Sequence, residues 1–331
     1  MAITYKKAGV NIDAGEEVVH RIKNTVRSTF TKHVLTDIGM FGAFYEAKFP
    51  QLKNPVLVSS VDGVGTKLKI AFLMKRYDTV GQDLVNHCVN DIAVCGATPL
   101  YFMDYFATGK LSPTIAAEVI GGFAKACKEN GCSIIGGETA EMPGFYADGE
   151  FDLAGTIVGV VDKENIVNGK AIKKGDVLIG LPSTGLHTNG YSLARKVLIP
   201  TFSLRKKFPE LHGTLGDALL AVHRSYLKPI QALTSKNLVH GMSHITGGGI
   251  IGNTMRIIPK GLSLKIDWLS WQRPFIFDLI QSVGQVPEYD MTRTFNLGVG
   301  LVFVVAKKNV DKALRILKSQ KEKPFIMGEV V

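Results

Sequence analysis

Three short stretches of the chain carry residue types suited to handling phosphate. The first is Asp62-Gly63-Val64-Gly65-Thr66-Lys67. Its glycines let backbone N–H groups approach phosphate oxygens, lysine supplies a point charge, and aspartate is a ligand for the Mg²⁺ that bridges nucleotide phosphates. Taken alone, the hexapeptide is also compatible with a tight turn capped by Asp62. No Gly-Lys-Ser/Thr occurs anywhere in the chain, which excludes a Walker loop. Mg²⁺ takes one or two carboxylates besides phosphate oxygens, so a second acid is required. Asp91, in Asn90-Asp91, and Glu138, directly after Gly136-Gly137, are the candidates. For Asp91, an ordinary helix-surface charge accounts for the residue nearly as well.

The second stretch is Ser183-Thr184-Gly185-Leu186-His187-Thr188-Asn189-Gly190, dense in hydrogen-bonding groups and bounded by glycines. Of the eight histidines, His187 has the surroundings most like a reaction site, against the structural role that a lone histidine usually has. The third, Gly247-Gly248-Gly249-Ile250-Ile251-Gly252, formally satisfies G-x-G-x-x-G, with Asp267 about twenty residues on, as a dinucleotide fingerprint requires. The preceding residues 239–246 are half polar and make a poor buried first strand. A glycine turn at a helix start, open to a phosphate, is the preferred reading.

Such loops need strands and helices to hold them. Residues 55–61 (PVLVSSV) read as a strand and 68–75 as a helix. Residues 79–94 read as a helix carrying Asp83 and Asp91, and 115–128 as a helix with apolar positions 115, 119, 120, 123, 126 and 127. Strands are expected at 133–137, 153–161, 177–180, 300–306 and 325–330, and a helix at 191–198. Alternating strands and helices indicate an α/β or α+β architecture in both halves. A length of 331 residues suggests two domains. The polar, lysine-rich segment before Gly175-Asp176 places the boundary between residues 168 and 169.

Bulk composition narrows the class. A hydrophobic share of 46% and a charged share of 21% fit a globular protein, and no apolar run approaches the ~18 residues needed to cross a bilayer. Lys6 and Lys7 precede no apolar signal-peptide core, so secretion and membrane association are not expected. Cys88, Cys95, Cys127 and Cys132 form no C-x-x-C pair and read as reduced, mostly buried thiols. The net charge of +10 is dispersed, which favours small phosphorylated ligands over nucleic acid.

The motifs, in their order, resemble the phosphoribosylformylglycinamidine cyclo-ligase (aminoimidazole ribonucleotide synthetase) family. The resemblance runs through YKKAGVNIDAG at 5–15, DGVGTK at 62–67, VNDI at 89–92, DYFATGKL at 104–111, GGETAEMPG at 136–144, the loop at 185–192, TGGG at 246–249 and MTRTFNLGVG at 291–300. GGETAEMPG and the last block are specific to the family, whereas DGVGTK is shared with superfamily relatives. Two departures keep the hydrogen-bonding types: Asn11 where the family usually has Asp, and Leu186 and Thr188 where Pro and Ser are common.

The resemblance implies an N-terminal ATP-binding and dimerisation domain (1–168) and a C-terminal α+β domain (169–331). In the family the N-terminal four-stranded sheet pairs with that of a second copy as an eight-stranded barrel. It implies a cytoplasmic homodimer that cyclises formylglycinamidine ribonucleotide at the expense of ATP, with Mg²⁺. Carried onto this sequence, Asp62, Asp91 and Glu138 serve the metal. Asp62, Gly63, Gly65, Thr66, Lys67 and Asp91 serve the nucleotide, joined by Lys23 if the N-terminal arm folds over the site; a solvated lysine explains Lys23 equally. His187, Asn189 and Lys67 take the catalytic roles, and Tyr191, Ser192, Gly247, Gly248 and Gly249 bind substrate. Thiamine-monophosphate kinase and selenophosphate synthetase are the alternatives on related folds. The latter fits poorly because the first cysteine is Cys88.

Overall fold

Residues 3–331 are described by the computed structural model, so the first two positions of the expected 1–168 domain lie outside the described residues. The chain divides into two compact units. One holds the described residues up to Ile92 together with Thr98–Lys163, and the other holds Ala93–Ala97 and Glu164–Val331.

The first unit contains α1 (Ile12–Arg27), β1 (Pro55–Gly63), α2 (Leu68–Met74), α3 (Asp78–Ala93), β2 (Thr98–Thr108), α4 (Pro113–Asn130), β3 (Ser133–Glu141) and β4 (Phe151–Asp162). Its sheet has the order β1-β4-β2-β3, antiparallel except for the parallel β2–β3 pair. α4 starts on Pro113 and stops at Gly131, which takes the left-handed conformation that ends a helix. Its apolar stripe buries Val119, Ile120, Phe123 and Cys127. α3 is buried from Thr79 to Asn90 although half of it is polar. It can lie against α4 because Gly81 and Gly122 face the opposing backbones: a Cβ on either would meet a carbonyl oxygen at 2.2 Å.

These helices cover one face of the sheet, where Leu84 and Phe102 fill the space over Gly155 and Phe102 meets Phe123. The other face carries apolar side chains that are open to solvent in part. Leu57 is 62% and Val61 68% exposed, with Tyr105 beside them in the same face. The sequence reading has no strand at 98–108, yet β2 there is central, eleven residues long and paired on both sides from Tyr101 to Thr108. Its run PLYFMDYFAT shows no clean alternation, because both faces are partly apolar.

The second unit contains β5 (Val177–Pro182), α5 (Tyr191–Leu198), the short strands β6 (Lys207–Phe208) and β7 (Gly213–Thr214), α6 (Leu215–Leu219), α7 (Leu227–Thr234), β8 (Val239–His244), α8 (Gly249–Thr254), β9 (Leu264–Ile266), α9 (Phe275–Gly284), α10 (Glu288–Thr294), β10 (Val299–Val305), α11 (Val310–Ser319) and β11 (Phe325–Val330). The main sheet, β8-β10-β5-β11-β9, is antiparallel throughout. β10, buried along its whole length, leads a core with Leu178, Ile245, Ile250 and Met327. Residues 239–244 correct the sequence reading: they do form a strand, buried from Gly241 to His244. Polar His244 is tolerated inside because it is hydrogen-bonded to His223. An antiparallel edge strand followed by a six-residue helix confirms that the glycine run is no dinucleotide fold.

Candidate nucleotide and substrate sites

In the first unit, Asp62 near the end of β1 and Asp91 on the last turn of α3 converge on His87. The His87 Nε2 lies 2.9 Å from Asp62 Oδ2 and 4.0 Å from Asp91 Oδ2, and Ser60 Oγ donates to Asp91 Oδ2 at 3.2 Å. His87 and Asp91, four residues apart, share one helix face. Burial disfavours a charge on His87, but the hydrogen bond and charge of Asp62, with Asp91 and Asp83 behind it, outweigh burial and raise its pKa. His87 thus sits between two carboxylates, and such a carboxylate pair is an oxygen-donor set that suits Mg²⁺.

Gly65 and Thr66 are exposed in the 3₁₀ turn that follows β1. Lys67 is not beside them. Successive residues of a 3₁₀ turn point about 120° apart, so Thr66 faces out and Lys67 in, with its Nζ 2.7 Å from Asp83 Oδ2 and both side chains fully buried. Burial, offset only in part by Asp83, lowers the Lys67 pKa. Glu138 is not brought to Asp62 and Asp91 either. The register Asp62–Gly155–Asp104–Gly137 runs straight across the sheet, and Glu138, one residue further, projects from the opposite face. The acid in the row of Asp62 is Asp104, which fits because Gly137 has no side chain: a Cβ there would lie 2.3 Å from Asp104 Oδ1. Burial, with the charge of Glu138 adding to it, pushes the Asp104 pKa up to about 7.

Lys23, on α1, has its Nζ 3.6 Å from Asp37 Oδ2, a carboxylate that Arg27 also holds. The Glu141 carboxylate accepts from the Asn11 N–H at 2.5 Å and the Leu111 N–H at 2.7 Å, tying the arm before α1 to the sheet. Beside it is a cavity of about 580 Å³, lined by Val10, Asn11, Glu16, Leu111, Thr139 and Glu141 among others.

In the second unit the loop after β5 turns His187 inward. His187 adopts φ = 62°, its Nε2 accepts from the Thr184 N–H at 3.2 Å, and its ring stacks on His223 at 4.0 Å between centroids. It is 1% exposed. Tyr191 is also internal, its hydroxyl donating to Leu219 O at 2.7 Å, whereas Ser192 is exposed. Asn189 is half-buried, and its Oδ1 is 3.0 Å from where a Cβ of Gly247 would stand. The loop at 185–190 and the turn at 247–249 therefore meet. Asn253 laces that turn, its Nδ2 lying within hydrogen-bond reach of the Thr246, Gly247 and Gly249 carbonyls. Gly249 admits no side chain, since a Cβ would sit 1.8 Å from Thr292 O. Asn296 holds the other loop, donating to Gly185 O and accepting from Ser183 Oγ and the Gly298 N–H. The outer side of Ser183, Thr184 and Gly185 borders a cavity of about 910 Å³ shared with Asp217, Gln272 and Arg273.

Known proteins match this arrangement over its whole length. The family described as AIR synthase related protein matches with its N-terminal domain over residues 47–161 and its C-terminal domain over 173–331. A phosphoribosylformylglycinamidine cyclo-ligase from Thermoanaerobacter pseudethanolicus is 54% identical over 331 residues, covering 99% of this chain and 98% of its own. The chain belongs to the phosphoribosylformylglycinamidine cyclo-ligase family. The family's enzyme from Desulfitobacterium hafniense is 50% identical over 330 residues, covering 100% of this chain and 97% of that one. Among solved structures, the thiamine-monophosphate kinase of Stenotrophomonas maltophilia shares the fold, with a TM-score of 0.69 at 15% identity over 94% of this chain and 93% of its own.

Family membership gives meaning to residues that the motifs alone do not single out. His87, Asp83 and Asp104 surround Asp62 and Asp91, and His223, His244, Asn253 and Asn296 support the two loops of the second unit. Their signal in the sequence is the polar residue at a position the apolar pattern would bury, as in Gln82, Asp83, Asn86, His87 and Asn90 on α3.

Proposed function

We propose that the chain is an ATP-dependent cyclo-ligase of purine biosynthesis that converts formylglycinamidine ribonucleotide to 5-aminoimidazole ribonucleotide, releasing ADP and phosphate. The observation that carries this reading is the match, at 50–54% identity over the full chain, to relatives bearing that name. ATP is needed because an amide oxygen leaves badly. The formyl oxygen attacks the γ-phosphorus and ADP departs; the amidine-derived nitrogen of the same molecule then adds to the formyl carbon, phosphate leaves with that oxygen, and a proton is lost. Holding both reacting ends in one molecule is worth as much as ~7–11 kcal/mol.

In this reading Asp62 and Asp91 hold Mg²⁺, which when bound neutralises phosphate charge. Gly63, Gly65 and Thr66 present the turn to the nucleotide, and Lys23, paired with Asp37 from α1, joins it only where the N-terminal arm folds over the site. Lys67 acts from behind, fixing the turn through Asp83. Asn189, Ser192 and the turn at Gly247, Gly248 and Gly249 meet the ribonucleotide. Buried His187 and Tyr191 set the loop that carries Asn189. The functional division is between residues 1–168 and 169–331.

The partly exposed apolar face of the first sheet supports a homodimer in which two such sheets close an eight-stranded barrel, and Glu138 lies on that face. The setting is cytoplasmic, without nucleic acid or membrane; among the described residues no helix is long and apolar enough to span a bilayer. The test is turnover. ATP hydrolysis should depend on formylglycinamidine ribonucleotide, and phosphorylation of thiamine monophosphate in its place would replace this reading with the kinase.

A further inference from the structure

Three buried histidines lie behind the substrate loop of the second unit. His187, His223 and His244 place ring nitrogens within 4.8 Å of one another, and all are at least nine-tenths buried. The spacing invites a metal ion, but the geometry does not suit one. The rings of His187 and His223 are stacked at 15°, so their in-plane lone pairs run parallel instead of converging, and the Thr184 N–H already occupies His187 Nε2. The cluster is built for hydrogen bonds.

His223 is its centre. Its Nε2 lies 2.9 Å from His244 Nε2, its Nδ1 3.4 Å from Thr188 Oγ1, and Thr188 Oγ1 accepts from Asn189 Nδ2 at 3.5 Å. Two imidazole nitrogens at that separation share one proton. Asn189 thus donates to the Thr188 oxygen, and Thr188 in turn pairs with His223 Nδ1. His223 pairs in turn with His244 through its Nε2. The contacts form one chain from Asn189 through Thr188 and His223 to His244.

We propose that His223 is a positioning residue for substrate recognition. The relay holds the Asn189 carboxamide with Nδ2 inward and Oδ1 on the Gly247 side. The site therefore offers an acceptor, which selects an N–H-rich group such as the amidine of the substrate and disfavours a carbonyl in its place. This rests on the reading of Asn189 as a substrate contact.

The test uses the full-length protein. His223→Phe keeps a ring against His187 and removes both nitrogen contacts, Thr188→Val breaks the same relay one step earlier with little change of shape, and His223→Asn places a hydrogen-bonding amide near the Nδ1 position that faces Thr188. His223→Phe and Thr188→Val should each raise the KM for formylglycinamidine ribonucleotide about tenfold, with the KM for ATP within about twofold of wild type, and His223→Asn should recover most of the loss. Combining His223→Phe with Asn189→Ala should be no worse than Asn189→Ala alone, since both remove one interaction. An unchanged KM in Thr188→Val, equal losses for both substrates, or multiplicative effects in the double variant would overturn the relay while leaving Asn189 as a contact. Wild-type kinetics in Asn189→Ala would remove the substrate-contact reading and the relay with it.

Discussion

Buried charge in the first unit is matched by opposite charge, as Lys67 is by Asp83 and His87 by Asp62. Asp104 instead stands beside Glu138 with its pKa pushed up to about 7. A carboxyl whose folded pKa exceeds its unfolded value favours folding below the unfolded pKa, near 4, and loses that contribution as pH rises to 7. Asp104→Asn has no such loss. Its stability relative to wild type should therefore climb between pH 4 and pH 7 by up to about 3 kcal/mol and then level off; thermal melts across that range that keep a constant difference would refute the burial argument. Asp62→Asn and Asp91→Asn should keep the apo fold, with Asp62→Asn melting lower because His87 loses its partner, and both should abolish the rise caused by Mg²⁺ with ATP. Retained nucleotide stabilisation in both would remove them from the site. Asp62 and Asp91 are legible in the sequence because glycines and asparagine mark them, whereas His87 and Asp104 lie inside a helix and a strand whose neighbours only the fold supplies.

At the scale of elements, β1 shows why one face of a strand can say more than its pattern. Its burial alternates strictly, yet the exposed positions hold Leu57 and Val61. A strand that presents apolar side chains to water on one face needs a cover. Val61→Asp should convert a dimer of two 36.0 kDa chains to monomer in sedimentation velocity at micromolar concentration, with the melting temperature reduced and secondary structure kept. A wild-type protein that sediments as a monomer would contradict the proposed pairing. Regular elements such as α4 and β11 are readable from periodicity, since one partner layer dictates their pattern. β2 and β8 are not. β2 is sandwiched between two strands and apolar on both faces, and β8 carries His244 into the core because His223 satisfies it.

For the molecule as a whole, each unit holds its own set of polar loops: a carboxylate pair with an exposed glycine turn in the first, and two interlocked loops in the second. The motif order along the chain makes both sets visible from residue types alone, because turns that must approach a ligand carry glycine and hydrogen-bonding residues whatever the sheet beneath them. Supporting side chains such as Asn253 are invisible there for the opposite reason, since Asn253 is fixed by what it touches in the folded chain and no local pattern marks it. The account as a whole requires that the formyl oxygen be phosphorylated and then expelled. The most direct measurement is to supply formylglycinamidine ribonucleotide labelled with heavy oxygen in the formyl group, with unlabelled ATP, and to weigh the phosphate formed. One heavy oxygen in each phosphate, with ADP and aminoimidazole ribonucleotide produced in equal amounts, is the predicted result; unlabelled phosphate would contradict it.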